Sequence, residues 1–357
     1  KTLFFYMIAY FFFIDGINTV TALGGIFGTT VLGITGFDLM VTILAIQFVA
    51  APSAILFTRL ANNVGTKQAL TMSLVGWVVL CFAALSFAPL ELESHDEYQI
   101  QFDWDEEQNI YTVQMANSDV PELAQKLDYR DSEFNEQEWA NDWSHLIPVK
   151  IDDRSDTMKW NFWVTDSDGD DTEVAFVLSL NDIIDSEINT FLESLDESRF
   201  SVSVSGGSLD TVTAIGVDHP TSLGDGKLDF IPEAARDNVW GPLGLAVGFQ
   251  FLLLGCAMGT LLGGSQGLAR SMFGQIVPET RSAEFFGFFG FFGKVAALIG
   301  PLLYGTLTVM YDSRVGILSI SVLILIGAVM MRFVDVEQGR ADAQAEDARN
   351  RGIHSED

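Results

Sequence analysis

Cysteine is nearly absent: the 357 residues hold two, Cys81 and Cys256, both inside apolar stretches. No disulfide can staple the polar part of the chain, and cysteine usage leaves its redox compartment open. Histidine is scarce, and His95, His145, His219 and His354 make no zinc-ligand spacing. Nucleophile elbows, phosphate loops and Ser/His/Asp sets are missing, so the sequence offers no enzyme and implies no cofactor. Basic residues are few: 19 Lys and Arg stand against 48 Asp and Glu, a net charge of −29. That acidity excludes nucleic acid as a partner. A cleavable leader is also missing. Lys1 opens directly into an apolar run without an initiator Met, so a further N-terminal part is expected.

What is there divides into two materials. Between Glu91 and Trp240 lie 36 acidic and 8 basic residues, and the rest of the chain holds 12 and 11. Six apolar runs flank that block: Leu3–Val31, Phe37–Phe57, Ala69–Leu90, Leu243–Leu262, Phe285–Met310 and Val315–Phe333. A spanning helix needs about 20 mostly apolar residues, and backbone in lipid must satisfy itself, so these runs read as membrane helices. The expected fold is an all-α membrane bundle of six helices with an inserted soluble α+β domain. The parts are helices one to three (1–90), the acidic insert (91–240), helices four to six (241–334) and a tail (335–357).

Basic residues near span ends set orientation. Lys1, Arg59, Lys67, Arg270, Arg281, Arg332, Arg340, Arg349 and Arg351 fall on one side, and among short loops only Arg314 on the other. The first side is expected in the cytoplasm, with the tail; the insert is then extracytoplasmic or lumenal. Within the insert, Gln99–Trp104 and Ile110–Met115 alternate and predict a hairpin. Met158–Val164, Val174–Leu180 and Phe200–Ser205 read as further strands. Glu136–Leu146 and Asp182–Leu195 read as helices. The tail reads as a short helix or unstructured, with no function attached.

Asp15 is the most telling residue. It stands about 12 residues into span one, roughly 18 Å deep and near mid-bilayer. A charge there costs several kcal/mol and needs protein or water around it. Asn18 follows on the same face. Lys294 lies at comparable depth in span five, about 15 Å from the same side, and is the expected ion-pair partner. Gln47 and Gln250 lie inside spans two and four and suit interhelical hydrogen bonds or solute contacts. These five, Asp15, Asn18, Gln47, Gln250 and Lys294, form the candidate pathway for a small solute, with protons as the coupling ion. Arg270, Arg281 and Glu284 bracket a turn at Pro278 and are expected to form a structural ion cluster. Glycines at 255, 259, 263 and 267, and every third residue over Gly287–Gly293, predict close helix packing. Gly300-Pro301 predicts a kink. Asp166, Asp168 and Asp170 crowd a turn that could ligate calcium, yet the EF-hand pattern fails at Val177.

The segment Gly264-Ser265-Gln266-Gly267-Leu268-Ala269-Arg270-Ser271-Met272-Phe273, then Pro278, Ala283-Glu284-Phe285-Phe286-Gly287, Gly293-Lys294 and Gly300-Pro301, carries a resemblance. With Phe12-Phe13-Ile14-Asp15-Gly16-Ile17-Asn18-Thr19, it resembles the autophagy-related vacuole-effluxer branch of the major facilitator superfamily. The resemblance covers about 200 residues of the membrane part. It implies the C-terminal half of a twelve-span secondary transporter, with amino acids among the solutes. The N-terminal six-helix half, not in this chain, would supply the facing wall. Thr58 to Lys67 matches the superfamily's cytoplasmic loop motif in part, through Gly65 and Lys67; Asn62 replaces its Asp. The rival reading is a membrane-anchored extracytoplasmic binding or sensing protein, for which the spans only tether.

Overall fold

An apolar run crossing lipid must close its own backbone hydrogen bonds, and all six runs are helical. The computed structural model describes residues 2–116, 139, 142–143, 145–146, 149–152, 159–165, 171–173, 176–196, 198, 200–217, 219–223 and 226–352. For 114–116 and the strands between 149 and 183 it describes the backbone alone. The chain forms two compact units: residues 1–28, 37–87 and 248–357, and residues 29–36 with 88–247.

The first unit is the bundle. Its helices are α1 (Thr2–Thr30), α2 (Gly36–Val64) and α3 (Thr66–Ala84), followed after the insert by a second group. α1 runs 29 residues, the length of its apolar run, whereas α2 and the fourth spanning helix, also 29 residues each, continue as helix past their apolar runs into polar residues. The third helix, expected to reach Leu90, stops at Ala84. Pro89 disfavours helical backbone at Ala88, and the chain continues extended.

The second unit starts from the predicted hairpin. Strands β1 (Ile100–Asp105) and β2 (Ile110–Ala116) pair antiparallel, Ile100 opposite Met115 and Asp105 opposite Ile110. Asp105 Oδ1 accepts from the amides of Glu107 (2.9 Å) and Gln108 (3.1 Å) and closes the turn. β3 (Val149–Asp152), β4 (Lys159–Thr165) and β5 (Asp171–Glu173) form a small antiparallel sheet. β6 (Phe176–Ile183), β2, β1, β7 (Ser201–Ser205) and β8 (Thr213–Ile215) form the main one in that order, with β7 parallel to β1. Helix α4 (Asp185–Glu193) is shorter than expected, because Asp182 and Ile183 end β6. It buries Ile188 and Phe191 against Phe102, Tyr111, Val202 and Val204. Trp139 stacks on Phe191 and Phe200 at 5.6 and 5.4 Å. Helix α5 (Phe230–Ala235) follows. Most of the expected helix Glu136–Leu146, and the turn of Asp166, Asp168 and Asp170, lie outside the described residues.

The bundle resumes with α6 (Val247–Gln275), α7 (Ser282–Ala296), α8 (Ile299–Met310) and α9 (Ser313–Met330), and ends in α10 (Val336–Asn350). The glycine stripe of α6 packs as its spacing predicts. A Cβ added at Gly259 would meet the Ile46 carbonyl oxygen at 2.8 Å, and one at Gly263 would overlap that of Ala50. Gly255 presses on Thr42, while Gly267 meets nothing within 4 Å. In α7 only Gly293 is used this way, since a Cβ there would lie 2.8 Å from the Tyr10 hydroxyl; Cβ atoms at Gly287 and Gly290 would meet nothing within 4 Å. α9 is the most buried span, and α2 and α7–α8 are the least.

Candidate functional site

Pro301 has no amide hydrogen, and its ring would strike the Ala297 carbonyl in a continuous helix. The fifth span accordingly breaks at Ala297 and Leu298, separating α7 from α8. The break leaves the first amides of α8 without intrahelical acceptors. Asp15 of α1 stands at this point. It is wholly buried, and its carboxylate reaches no side-chain donor. Its neighbour is the backbone N–H of Gly300. A Cβ at Gly300 would lie 3.2 Å from Asp15 Oδ1 and would overlap the Thr19 hydroxyl. Only glycine lets α1 and α8 approach this closely. Thr19 Oγ1 donates to the Asp15 carbonyl at 2.7 Å, which keeps the hydroxyl on its own helix.

The carboxylate therefore sits at the N-terminus of a half-helix, where about half a positive charge is concentrated. Backbone, not a cation, offsets its burial. A carboxylate held this way can take up and release a proton without leaving an orphaned lysine behind.

Lys294 does not pair with Asp15. It is exposed, whereas α7 turns Phe289 and Ala296 inward. Five residues past Phe289, at 3.6 residues per turn, Lys294 points about 140° away from that buried face. The rotation of α7 about its axis was not readable in the sequence, and Gly293, next to Lys294, meets α1 at Tyr10, whereas Gly300 meets it at Asp15. Asn18 is half-buried beside Asp15, Gln250 is fully buried and not without a partner, and Gln47 is exposed on α2. The structure thus gathers Asp15, Thr19 and Gly300; it does not gather all five expected residues. Gly300 carried a signal, since Gly-Pro marked the break, but nothing in the sequence tied it to Asp15.

Below Asp15, towards the start of α1, an aromatic stack closes the space between α1, α6 and α7. Tyr10 stacks on Phe289 at 4.0 Å, Phe289 on Phe273 at 4.6 Å and Tyr6 on Phe273 at 6.1 Å. The Tyr6 hydroxyl donates to the Ala269 carbonyl at 2.6 Å.

One end of the bundle joins three turns. Gly65, at φ 92°, makes the sharp α2–α3 turn that a side chain would strain. Lys67 Nζ donates to the Val334 carbonyl at 2.7 Å, past the end of α9. Arg281 pairs with Glu284 at 2.6 Å and lies over the Phe285 ring, but Arg270 does not join them, so the expected cluster of three is a pair. Arg270 lies within electrostatic reach of the Tyr10 hydroxyl. The tail is not idle: Asp347 of α10 accepts from the amides of Glu279 and Thr280, both at 2.9 Å, and from the Thr280 hydroxyl at 2.7 Å. Those bonds hold its carboxyl below the usual range. Arg351 pairs with Glu279 at 2.8 Å, and Arg340 reaches Gln275. Among the described residues no cluster of three or more His, Cys, Asp or Glu side chains could hold a metal ion.

Comparison with known proteins gives a consistent picture. The sequence profile of the family described as vacuole effluxer Atg22 like matches residues 1–96 and 230–344, more than half the chain. Autophagy-related protein 22-1 of Penicillium rubens is 33% identical over 129 residues, 36% of this chain and 21% of that protein. Autophagy-related protein 22-2 of Emericella nidulans is 34% identical over 121 residues, 34% of this chain and 20% of that protein. The uncharacterized MFS-type transporter YxiO of Bacillus subtilis is 38% identical over 89 residues, 25% of this chain and 21% of that protein. The chain spans about a fifth of the length of the curated relatives it matches. No solved structure matches.

Proposed function

The chain belongs to the vacuole effluxer Atg22-like family of multi-pass membrane transporters, and from that premise we propose that it is the C-terminal six-helix half of a secondary transporter. It exports small solutes, amino acids among them, by alternating access around a site near mid-bilayer. The observation that carries the reading is Asp15, a buried carboxylate at a broken helix. A tether has no use for such a group, and intramembrane ionisable residues cost enough to mark function. Asp15 takes up and releases the coupling proton. Gln47 and Lys294 stand on α2 and α7, the least buried spans. In this reading those faces, with Asn18 and Gln250 behind them, meet the N-terminal half across the solute path. The end bearing Gly65, Lys67, Arg270, Arg281, Glu284 and α10 is cytoplasmic, and the acidic unit is extracytoplasmic.

The test is uphill export from vesicles containing the full-length protein. Collapse of the proton gradient and Asp15→Asn should each abolish accumulation while downhill exchange persists. Unchanged uphill transport in either case rejects the reading. The rival, a tethered binding domain, predicts instead that thermal shift of the acidic unit responds to solute and that Asp15→Asn changes nothing.

A further inference from the structure

Where α3 begins and α9 ends, a groove of about 530 Å³ opens on the surface of the bundle. It is lined by Lys67, Gln68, Thr71, Met72, Val75 and Arg332, with no acidic residue among them. Both cations stand at helix ends, Lys67 in the first turn of α3 and Arg332 just past Met330 of α9. In a spanning bundle that is headgroup depth. The apolar part lies deeper. Met72 follows Lys67 by about 7.5 Å along the helix axis, and Val75 and Val79 continue the same face at about 12 and 18 Å. All three side chains are more than half exposed. The groove therefore joins a cationic mouth to an apolar strip that runs into the hydrocarbon.

The cations are open to a ligand. Lys67 Nζ donates to the Val334 carbonyl at 2.7 Å and to the Arg332 carbonyl at 3.5 Å. An ammonium carries three N–H donors, so these bonds fix its place and leave one over. The Arg332 guanidinium is exposed and makes no hydrogen bond or ion pair among the described residues. No side chain caps the start of α3, and the open amides of a helix N-terminus favour an anion. Thr71 takes no part, since its hydroxyl donates to the Lys67 carbonyl at 2.9 Å. The adjoining recess shares both cations and adds Arg340, Asp335 and Glu337, so positive charge still exceeds negative there. Asp335 is committed to capping α10, where it accepts from the Gln338 amide at 3.0 Å. We propose that the groove binds one anionic phospholipid: Lys67, Gln68 and Arg332 hold its phosphate, and an acyl chain lies along Met72, Val75 and Val79. A zwitterionic lipid offers the same tail but brings its own cation to the mouth. The site is on α3 and α9, not on the α2 and α7 faces proposed for the solute path, and its failure would leave the Asp15 reading standing.

The experiment uses the full chain in phosphatidylcholine nanodiscs and two photoactivatable probes, phosphatidylglycerol and phosphatidylcholine, each with a diazirine in one acyl chain. Adducts are mapped by mass spectrometry. Each cation near the lipid surface is worth about five-fold in affinity, so phosphatidylglycerol should label Met72 and Val75 about five-fold or more above phosphatidylcholine. Exposed positions such as Phe48 and Leu302 should take both probes equally. Arg332→Gln should remove most of the preference at the groove, and Lys67→Gln combined with it should remove the rest. Arg332→Gln breaks no contact of the bundle, so SDS unfolding should be unchanged and the loss is not one of folding. Arg59→Gln is the control, an exposed cation near the end of α2 and outside the groove, and should leave the preference intact. Equal labelling by the two probes, or an equal loss in Arg59→Gln, overturns the proposal, because a diffuse positive surface would then explain the attraction. Calorimetric binding of glycerol phosphate that needs Arg332, with no acyl adducts at Met72 or Val75, would make the ligand a soluble phosphate and also overturn it.

Discussion

Gly300→Ala tests the contact that holds the proposed site together. A methyl at this position would overlap Thr19 Oγ1 and stand 2.9 Å from Thr19 Cβ. The hydroxyl could rotate away, but a Cβ moves only with its helix, so α1 and α8 must separate by several tenths of an ångström. Overpacking of this kind costs about 1–3 kcal/mol. The better helix propensity of alanine returns up to about 1 kcal/mol. The net expectation is a loss of about 1–2 kcal/mol, or roughly five- to thirty-fold in the folded-to-unfolded ratio. Gly305→Ala is the matched control. It lies in the same helix, and its Cβ would meet nothing within 4 Å, so it should be neutral or slightly stabilising. Both variants can be unfolded with SDS in detergent micelles, and proton-driven export measured alongside. Gly300→Ala should lose both stability and uphill transport, and Thr19→Ala should restore part of the stability by removing the overlapping oxygen. If Gly300→Ala proved as stable as Gly305→Ala, α1 and α8 would not touch at Asp15, and the half-helix account of the buried carboxylate would fail.

Further expectations concern other parts of the chain. Lys294→Met should leave unfolding of the bundle within about 0.5 kcal/mol of wild type, since no pair with Asp15 is broken. Gly263→Val should cost about 1–3 kcal/mol by wedging α6 from the Ala50 carbonyl, read in the same SDS titration. Burial holds His219 at a pKa of about 4, below its ordinary 6.5, so between those values the unfolded state binds more protons. Its contribution to the acidic unit, about 3 kcal/mol, is present above pH 6.5 and is lost as the pH falls towards 4. Urea unfolding followed by tryptophan fluorescence should show that slope, and His219→Gln should flatten it. Asp347→Asn should expose α10 to trypsin at Arg349 and Arg351 at neutral pH, whereas wild type stays protected there.

Much of this was legible in the order of residues. Six apolar runs had to be helices, because lipid gives backbone no other partner. The alternation from Gln99 to Met115 predicted the hairpin, though not its register. Gly300-Pro301 predicted the break in the fifth span, because a missing amide hydrogen is a local fact. The tail helix was less readable. Its residues are polar all round, and only the acceptors at Asp347 and their partners near Thr280, far off in the chain, show that it docks.

What sequence alone determined, then, is how far along each helix a residue stands. Which way it faces was decided by packing between helices distant in the chain. Asp15 and Lys294 were expected at one depth, but the buried face of α7 turns the lysine out, and it is Gly300 of α8 that meets the carboxylate. A cavity lined by α1, α2, α3, α6, α8 and α9 has the same origin: it is a gap between six helices, and no single helix encodes it.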